Sequence, residues 1–253
     1  MNNKEFSNNF DVKLSSYAIP AEFGEGYSKL SMAFNEYEKS LFLTEAENEI
    51  FINLYNGKNI YGDFFEGTEE LRRYLDNLIR TEDSSVNGSK LRKVNNPSAT
   101  LSDNSIVYKL PDDLAFITLE QVTYSGSDKC IDGYKANVYP VTQDEYARVK
   151  DNPFRGPTKY KVLRVDRGQR QVELIPNEKY NIGSYLVKYL KKPNPIVLID
   201  LTNTDLSIEG FNKVTECEMD SILHDVILDR AVALAVQSKA LTSTTTKKNK
   251  KDE

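Results

Sequence analysis

One histidine, two cysteines and no tryptophan in 253 residues leave this chain poorly equipped for most catalytic and metal chemistry. His224 is the sole imidazole, so any Ser–His or Cys–His pair has to use it. No serine or cysteine motif surrounds it, and it reads as a surface or structural histidine on the border between the polar and apolar faces of a helix. One histidine and two separated thiols, Cys130 and Cys217, do not make the usual four-ligand zinc set. The same two thiols give no disulfide framework and no sign of an oxidising compartment. No phosphate-binding loop or dinucleotide fingerprint is present: Gly24-Glu25-Gly26 and the glycines at 62 and 67 lack the strand–turn–helix context. The sequence calls for no cofactor and no metal.

Long apolar runs are also missing. The start, MNNKEFSNNF, has no apolar core of a secretory signal, and no stretch is long enough to span a bilayer. The expectation is a protein of the cytoplasm, or of something assembled there, with no membrane partner. A net charge of −5 gives no general affinity for nucleic acid. The carboxylates at 45, 47, 49, 69 and 70 sit at helix starts, where the helix dipole favours them, and need no catalytic explanation. An envelope-degrading enzyme would need a carboxylate pair in unequal environments, and nothing selects one.

What is present suits a wet-surfaced building block. Hydrophobic residues make up 39% and charged residues 28%, enough for a core. Fifteen tyrosines and eleven phenylalanines fill sheets well, and tyrosine is also common at interfaces. The pattern predicts an α+β fold with an N-terminal helical part, a central mostly antiparallel β-sheet with an inserted helix, and a C-terminal amphipathic helix.

Residues 1–34 read as an N-terminal arm or short helix carrying Phe6, Phe10, Val12, Leu14 and Tyr17. Residues 35–80 form the helical part. A short helix covers 35–43, and Thr44-Glu45-Ala46-Glu47 fits a capping box that starts a second one, stopped at Asn56-Gly57. Thr68 caps a further helix with Leu71, Leu75, Leu78 and Ile79 as its stripe. The polar stretch 81–100 is a linker or loop. The β-sheet part, 101–201, has strand candidates at 106–110, 114–124, 134–139, 160–165, 171–175 and 184–190. In the last of these, Tyr185, Val187 and Tyr189 point one way and Leu186, Lys188 and Leu190 the other. Asp166-Arg167-Gly168 signals a tight turn. Thr142 caps the inserted helix, 142–150. The run 196–199 reads as a buried connection or a strand, after Pro193 and Pro195 stop the ladder. Residues 202–240 hold a loop and a helix starting near Asp220, with Leu223, Val226, Ile227, Ala231 and Leu234 on its buried face. Arg230 lies beside that face, placed to snorkel or to meet an acid of a partner.

Three surface features stand out as interface candidates. The loop Asn152-Pro153-Phe154-Arg155-Gly156-Pro157 is a constrained turn that presents Phe154 and Arg155. The loop 61–67 carries Phe64 and Phe65. The Lys-rich tail, 241–253, carries Lys247, Lys248, Lys250 and Lys251. The tail's composition predicts disorder unless a neighbouring subunit orders it. The same lysines, with Lys90, Arg92 and Lys93, also admit a nucleic-acid-binding or packaging-associated role.

Several stretches resemble structural proteins of crAss-like phages. They are NEYEKSLFLTEAENEIFINLYNG (35–57), FEGTEELRRYLDNLI (65–79), NPFRGPTKYKVLRVD (152–166), SYLVKYLKKPNPIVLIDL (184–201) and LHDVILDRAVALA (223–235). Together they cover about a third of the chain and look like the neck or tail ring proteins of that group. The resemblance implies a non-enzymatic virion protein of the head–tail neck, assembled in the host cytoplasm. It implies a homo-oligomeric ring, commonly twelvefold, between the portal and adjacent tail ring proteins. DNA would pass through the lumen without specific binding, and an acidic chain avoids gripping phosphates.

Overall fold

The computed structural model describes residues 1–16, 33–58, 64–65, 67–95, 97, 99–126 and 131–249, with backbone alone from 240 to 249. Tyr17, the 24–26 turn and Cys130 lie outside them. In chain order come α1 (Asn3–Ser16), α2 (Glu36–Tyr55), α3 (Glu69–Tyr74), β1 (Ile79–Asp83), β2 (Arg92–Lys93), β3 (Ile106–Lys109), β4 (Leu114–Ser125) and β5 (Lys135–Val141). Then follow α4 (Gln143–Val149), β6 (Lys161–Gly168), β7 (Gln171–Ile175), β8 (Asn181–Lys191) and α5 (His224–Asn249). The expected α+β class is what is found. The chain divides into two units: residues 1–78 with 193–253, and residues 79–192.

The first unit is helical. On α1, Phe6, Phe10 and Leu14 recur every fourth residue and are all buried, whereas Val12 faces out. One uninterrupted α2 replaces the two helices expected from Thr44. Asn35 and Glu38 form a reciprocal capping box nine residues earlier, at 2.8 and 2.9 Å. Residues 36–43 contain no glycine or proline, so the helix propagates through Thr44 rather than restarting there. Gly57, with φ of 72°, takes the left-handed conformation just past the helix end. Thr68 caps α3 as expected, but the stripe is shared out. Leu71, Leu75 and Leu78 are fully buried, and Ile79 opens a strand instead.

Residues 196–199 are a connection and not a strand of the sheet, with Ile196 and Val197 buried, Leu198 half-buried and Ile199 exposed. Pro193 and Pro195 remove two ladder donors, and α2 hydroxyls replace the ladder. Ile196 N donates to Thr44 Oγ1 at 3.1 Å, and Leu198 N to Ser40 Oγ at 2.9 Å. Val197 makes one isolated bridge to Thr215, and Asn3 Nδ2 donates to both of their carbonyls. Asp220 caps a 3₁₀ turn that leads into α5. The buried face of α5 is Ile227, Leu228, Ala231, Val232 and Ala235, so the stripe is rotated from the expected one and Val226 is 51% exposed. Arg230 Nε pairs with Glu49 of α2 at 2.7 Å within the chain. His224 is buried against the Phe6 ring, with Nε2 3.3 Å from Met219 O. Lys39 is almost fully buried and joins Asp11 of α1 at 2.7 Å to Glu36 at 3.0 Å.

The second unit is one sheet of eight strands in the order β1-β8-β4-β5-β6-β7-β3-β2. The neighbours are antiparallel except β5 and β6, which run parallel with α4 as their crossover. Tyr185, Val187 and Tyr189 of β8 are all buried on one face, as the alternation predicts. Ring centroids of Tyr108 on β3 and Tyr185 lie 5.2 Å apart, although four strands separate β3 from β8 in the sheet. The sheet is therefore rolled around a single core that includes Val122, Tyr124, Val162, Val172 and Leu174. Residues 84–91 join its two edge strands, and Ser84 N extends the β1–β8 ladder to Tyr185 O at 2.9 Å. The polar stretch 81–100 thus contributes strand β2 and the end of β1. The turn between β6 and β7 is Gln169-Arg170, both with positive φ, one residue beyond the expected 166–168. The outer face of β6 and β7 carries α4 through Tyr146, Val149, Leu163, Val165 and Ile175.

Inside the roll sits a buried ion pair. Arg164 Nη1 meets Glu120 Oε2 at 2.6 Å, and Tyr185 donates its hydroxyl to the same carboxylate. Burial, with Glu120 beside it, holds the Tyr185 phenol well above its usual range, so it remains a donor. Arg164→Ala strands Glu120 without its cation, and is expected to cost about 3–5 kcal/mol in urea unfolding. The paired change Glu120→Leu with Arg164→Met is expected to cost much less.

Glu47 of α2 is buried, and Cys217 Sγ donates to its Oε1 at 3.2 Å. Burial first, then Glu218 and Glu209, push its carboxyl from 4.5 to about 8. Burial, and then that neighbouring carboxyl, also raises the Cys217 thiol far above its usual range. Because the folded state holds the extra proton, the neutral carboxyl's contribution is complete below pH 4.5 and is lost as pH rises towards 8. Glu47→Gln keeps the group neutral. Urea titrations at pH 5 and pH 8.5 are expected to show a fall on the order of a few kcal/mol in the native chain and a much flatter profile in the variant.

Candidate assembly surfaces

The 152–157 loop is built from its own sequence and held at both ends. Asn152 Oδ1 accepts from Phe154 N at 2.9 Å and from Arg155 N at 3.2 Å, a side chain mimicking a turn. Gly156 N donates back to Asn152 O at 2.7 Å. A Cβ at Gly156 would lie 2.7 Å from Asn152 O, 3.0 Å from Val149 O and 3.1 Å from Lys150 O, so only glycine lets the loop tuck against the end of α4. Asn177 Nδ2 holds Pro157 O at 3.2 Å, and Lys161 Nζ holds Arg155 O at 2.9 Å.

This frame points Phe154 into solvent at 91% exposure, with Arg155 exposed beside it. Among the described residues no carboxylate pairs with the Arg155 guanidinium. Further rings extend the patch. Tyr160 is exposed and packs edge-on to Tyr134 at 5.7 Å, and Lys161 lies 5.0 Å from the centre of the Tyr139 ring. Tyr160, Tyr139 and the basic side chains around them were not among the expected surface residues. The alternation on β5 and the Lys-x-Lys spacing at 159–161 are the signals that mark them.

The other candidates fare differently. Phe64 is 70% exposed, but Phe65 is 3% exposed and stacks against Tyr55 at 6.4 Å. Phe65 is a core residue, because its backbone N bonds back to Tyr55 O and turns the ring under α2. Lys247 and Lys248 lie on the last turns of α5, which continues to Asn249 past the expected end at 240. Lys250 and Lys251 fall outside the described residues. Lys90 is engaged by Asp113 at 2.7 Å. Among the described residues no group of three or more His, Cys, Asp or Glu is placed to hold a metal ion, and no helix is long and apolar enough to cross a membrane.

A surface of rigidly presented aromatics beside the exposed Arg155 guanidinium fits assembly better than chemistry, and the comparisons with known proteins bear on that directly. The family described as phage tail ring protein 3/4 matches residues 1–247. This chain belongs to that family. It is 44% identical to Ring protein 3 of Bacteroides phage crAss001 over 94% of its own length and 96% of that protein. It is 32% identical to Ring protein 4/5 of the same phage, over 93% of this chain and 92% of the relative. The expected kinship with crAss-like phage ring proteins is shown, and membership of a phage tail ring family makes the chain a virion structural component.

The loop's construction gives a direct test. Gly156→Ala is expected to lose about 1–3 kcal/mol through the forced contact with three carbonyls. Thermal melting should fall, and limited proteolysis should open the 152–157 segment faster than in the native chain.

Proposed function

We propose that this chain is the repeating subunit of a closed ring at the portal–tail junction, a structural part and not an enzyme. The single observation that carries the reading is membership of the tail ring family across nearly the whole chain. Support also comes from the two curated relatives, both named as ring proteins. The rigid Phe154 loop adds a surface suited to burial by a neighbour. Repeated head-to-tail contacts close when the rotation between copies divides a full turn. A twelvefold ring, matching a portal, is the proposed copy number. The adjoining portal and adjacent ring proteins are the proposed partners. With a net charge of −5 per copy, the lumen passes DNA without holding its phosphates. The end of α5 and the lysines at 247, 248, 250 and 251 are proposed to cross a subunit boundary and tie neighbouring copies together.

Native mass spectrometry and negative-stain imaging of the purified protein and of virion necks test this. Closed rings of one copy number are expected. A protein that is monomeric at every concentration and missing from particles overturns the reading. Ending the chain at Ala240 is expected to leave monomer stability near native and to raise the concentration needed for ring formation. Assembly at native concentrations and salt would make the tail a passive end.

A further inference from the structure

The Phe154 loop is aromatic and basic, and the helical unit carries a surface of opposite character. Between α2, residues 207–209 and the 238–239 stretch of α5 lies a groove of about 750 Å³. Its floor is apolar, formed by Phe34, Leu41, Phe42 and Ile208. Its rim is acidic: among the described residues Glu38, Glu45 and Glu209 line it, against one ammonium, that of Lys239. That ammonium lies 4.9 Å from the centre of the Phe34 ring, so the groove already holds one cation over an aromatic face. Leu41, at 42% exposure, and Glu45 remain open to solvent. The loop shows the reverse composition. From Arg148 to Lys161 the sequence carries five basic residues and one acid, Asp151, around the exposed ring of Phe154.

We propose that the loop of one copy seats in the acid-rimmed groove of the next, with Phe154 on the apolar floor and Arg155 against Glu45 and Glu38. The proposal rests on the ring reading and deepens it, because it names which surfaces of the subunit meet. Three features select a second copy as the occupant. Every copy carries both halves. The two halves are complementary in charge and in apolar content. Neither half is complementary to itself, and when each copy gives its loop to one neighbour and its groove to the other, the contact is heterologous and propagates around a ring. Aromatic residues, phenylalanine included, and arginine are both enriched at interfaces relative to the rest of a protein surface. The loop suits this role because Asn152 and Gly156 fix it before binding, which leaves little ordering entropy to be lost on contact.

Charge reversal on each side separates this contact from any other. Arg155→Glu and Glu45→Arg are exposed changes that leave the circular dichroism and melting of the monomer near native. Each alone is expected to raise the concentration for half-assembly at least about tenfold, corresponding to 1.4 kcal/mol per contact. The two variants mixed in equal amounts, or both changes in one chain, restore assembly. In the mixture the reversed loop of one meets the reversed groove of the other, and the native pair forms at the next junction. Phe154→Ser is expected to weaken assembly without rescue by Glu45→Arg. If all three single variants assemble at native concentrations, the contact lies elsewhere, and the ring reading stands without it. If the folded single variants fail and the mixture is not restored, the pairing of loop with groove is wrong. If the native chain stays monomeric at every concentration, the ring reading falls and the proposal with it.

Discussion

The pairing of β1 with β8 is the constraint on which both units depend. Ile79 pairs with Leu190 and Asp83 with Leu186 in one antiparallel ladder, so the chain enters and leaves the sheet through hydrogen-bonded neighbours. Residues 79–192 are thereby closed into a unit of their own, and residues 1–78 and 193–253 are left to complete each other. α1 and α2 cannot bury their apolar faces locally. Phe6 needs His224, Thr44 needs the backbone of Ile196, and Glu49 needs Arg230. The loop-closure entropy of holding these distant segments together is met once, by the β1–β8 ladder, because the logarithmic cost grows slowly with the length enclosed. The cost is in folding rate: most of these contacts are far apart in sequence, and such topologies form slowly.

Buried charge sets the register within that frame. Glu120 and Arg164 lie on strands that are separated by β5, and both side chains point into the roll. A one-residue slip of either strand would turn its charge to the outer face and leave the other unpaired in the core. Glu173 does the same on the outer face. It is buried, and accepts from Leu101 N at 2.6 Å, from Ser105 Oγ at 2.5 Å and from Arg167 at 3.2 Å, which pins the 99–105 loop over β7. Such groups add little net stability, but they make wrong pairings expensive. That accounts for carboxylates buried at 120 and 173 without any need for chemistry there.

Much of this was legible from local pattern. The period-two alternation of β8, the Thr142 cap of α4, the Thr68 cap of α3 and the Asn56-Gly57 stop all appear where the residues place them. The misreadings have a common origin in signals that compete locally and are resolved by distant partners. Thr44-x-x-Glu47 satisfies the capping-box pattern as well as Asn35-x-x-Glu38 does. What removes Thr44 from the surface is the backbone of Ile196, far along the chain. Val226 and Leu228 are equally apolar, and only the position of α1 and α2 decides that Leu228 is buried and Val226 is not. Phe64 and Phe65 are adjacent and identical, so no composition argument could separate the exposed ring from the core one. The discontinuous first unit was invisible for the same reason: no local feature of residues 193–223 says that they belong with α2.

The surfaces that suit assembly follow from where rigidity is available. An aromatic on a mobile loop would have to be ordered on binding, at a cost that subtracts from every contact in a ring. Here the exposed ring of Phe154 sits on a turn closed by Asn152, Gly156, Asn177 and Lys161, so that ordering is complete in the free subunit. A ring repeats each contact as many times as it has copies, and so does any mismatch within it. In the proposed contact, accuracy in the loop therefore matters more than the strength of one contact. In the proposed contact, that requirement would account for a glycine packed where no side chain fits, two residues from a phenylalanine left open to solvent.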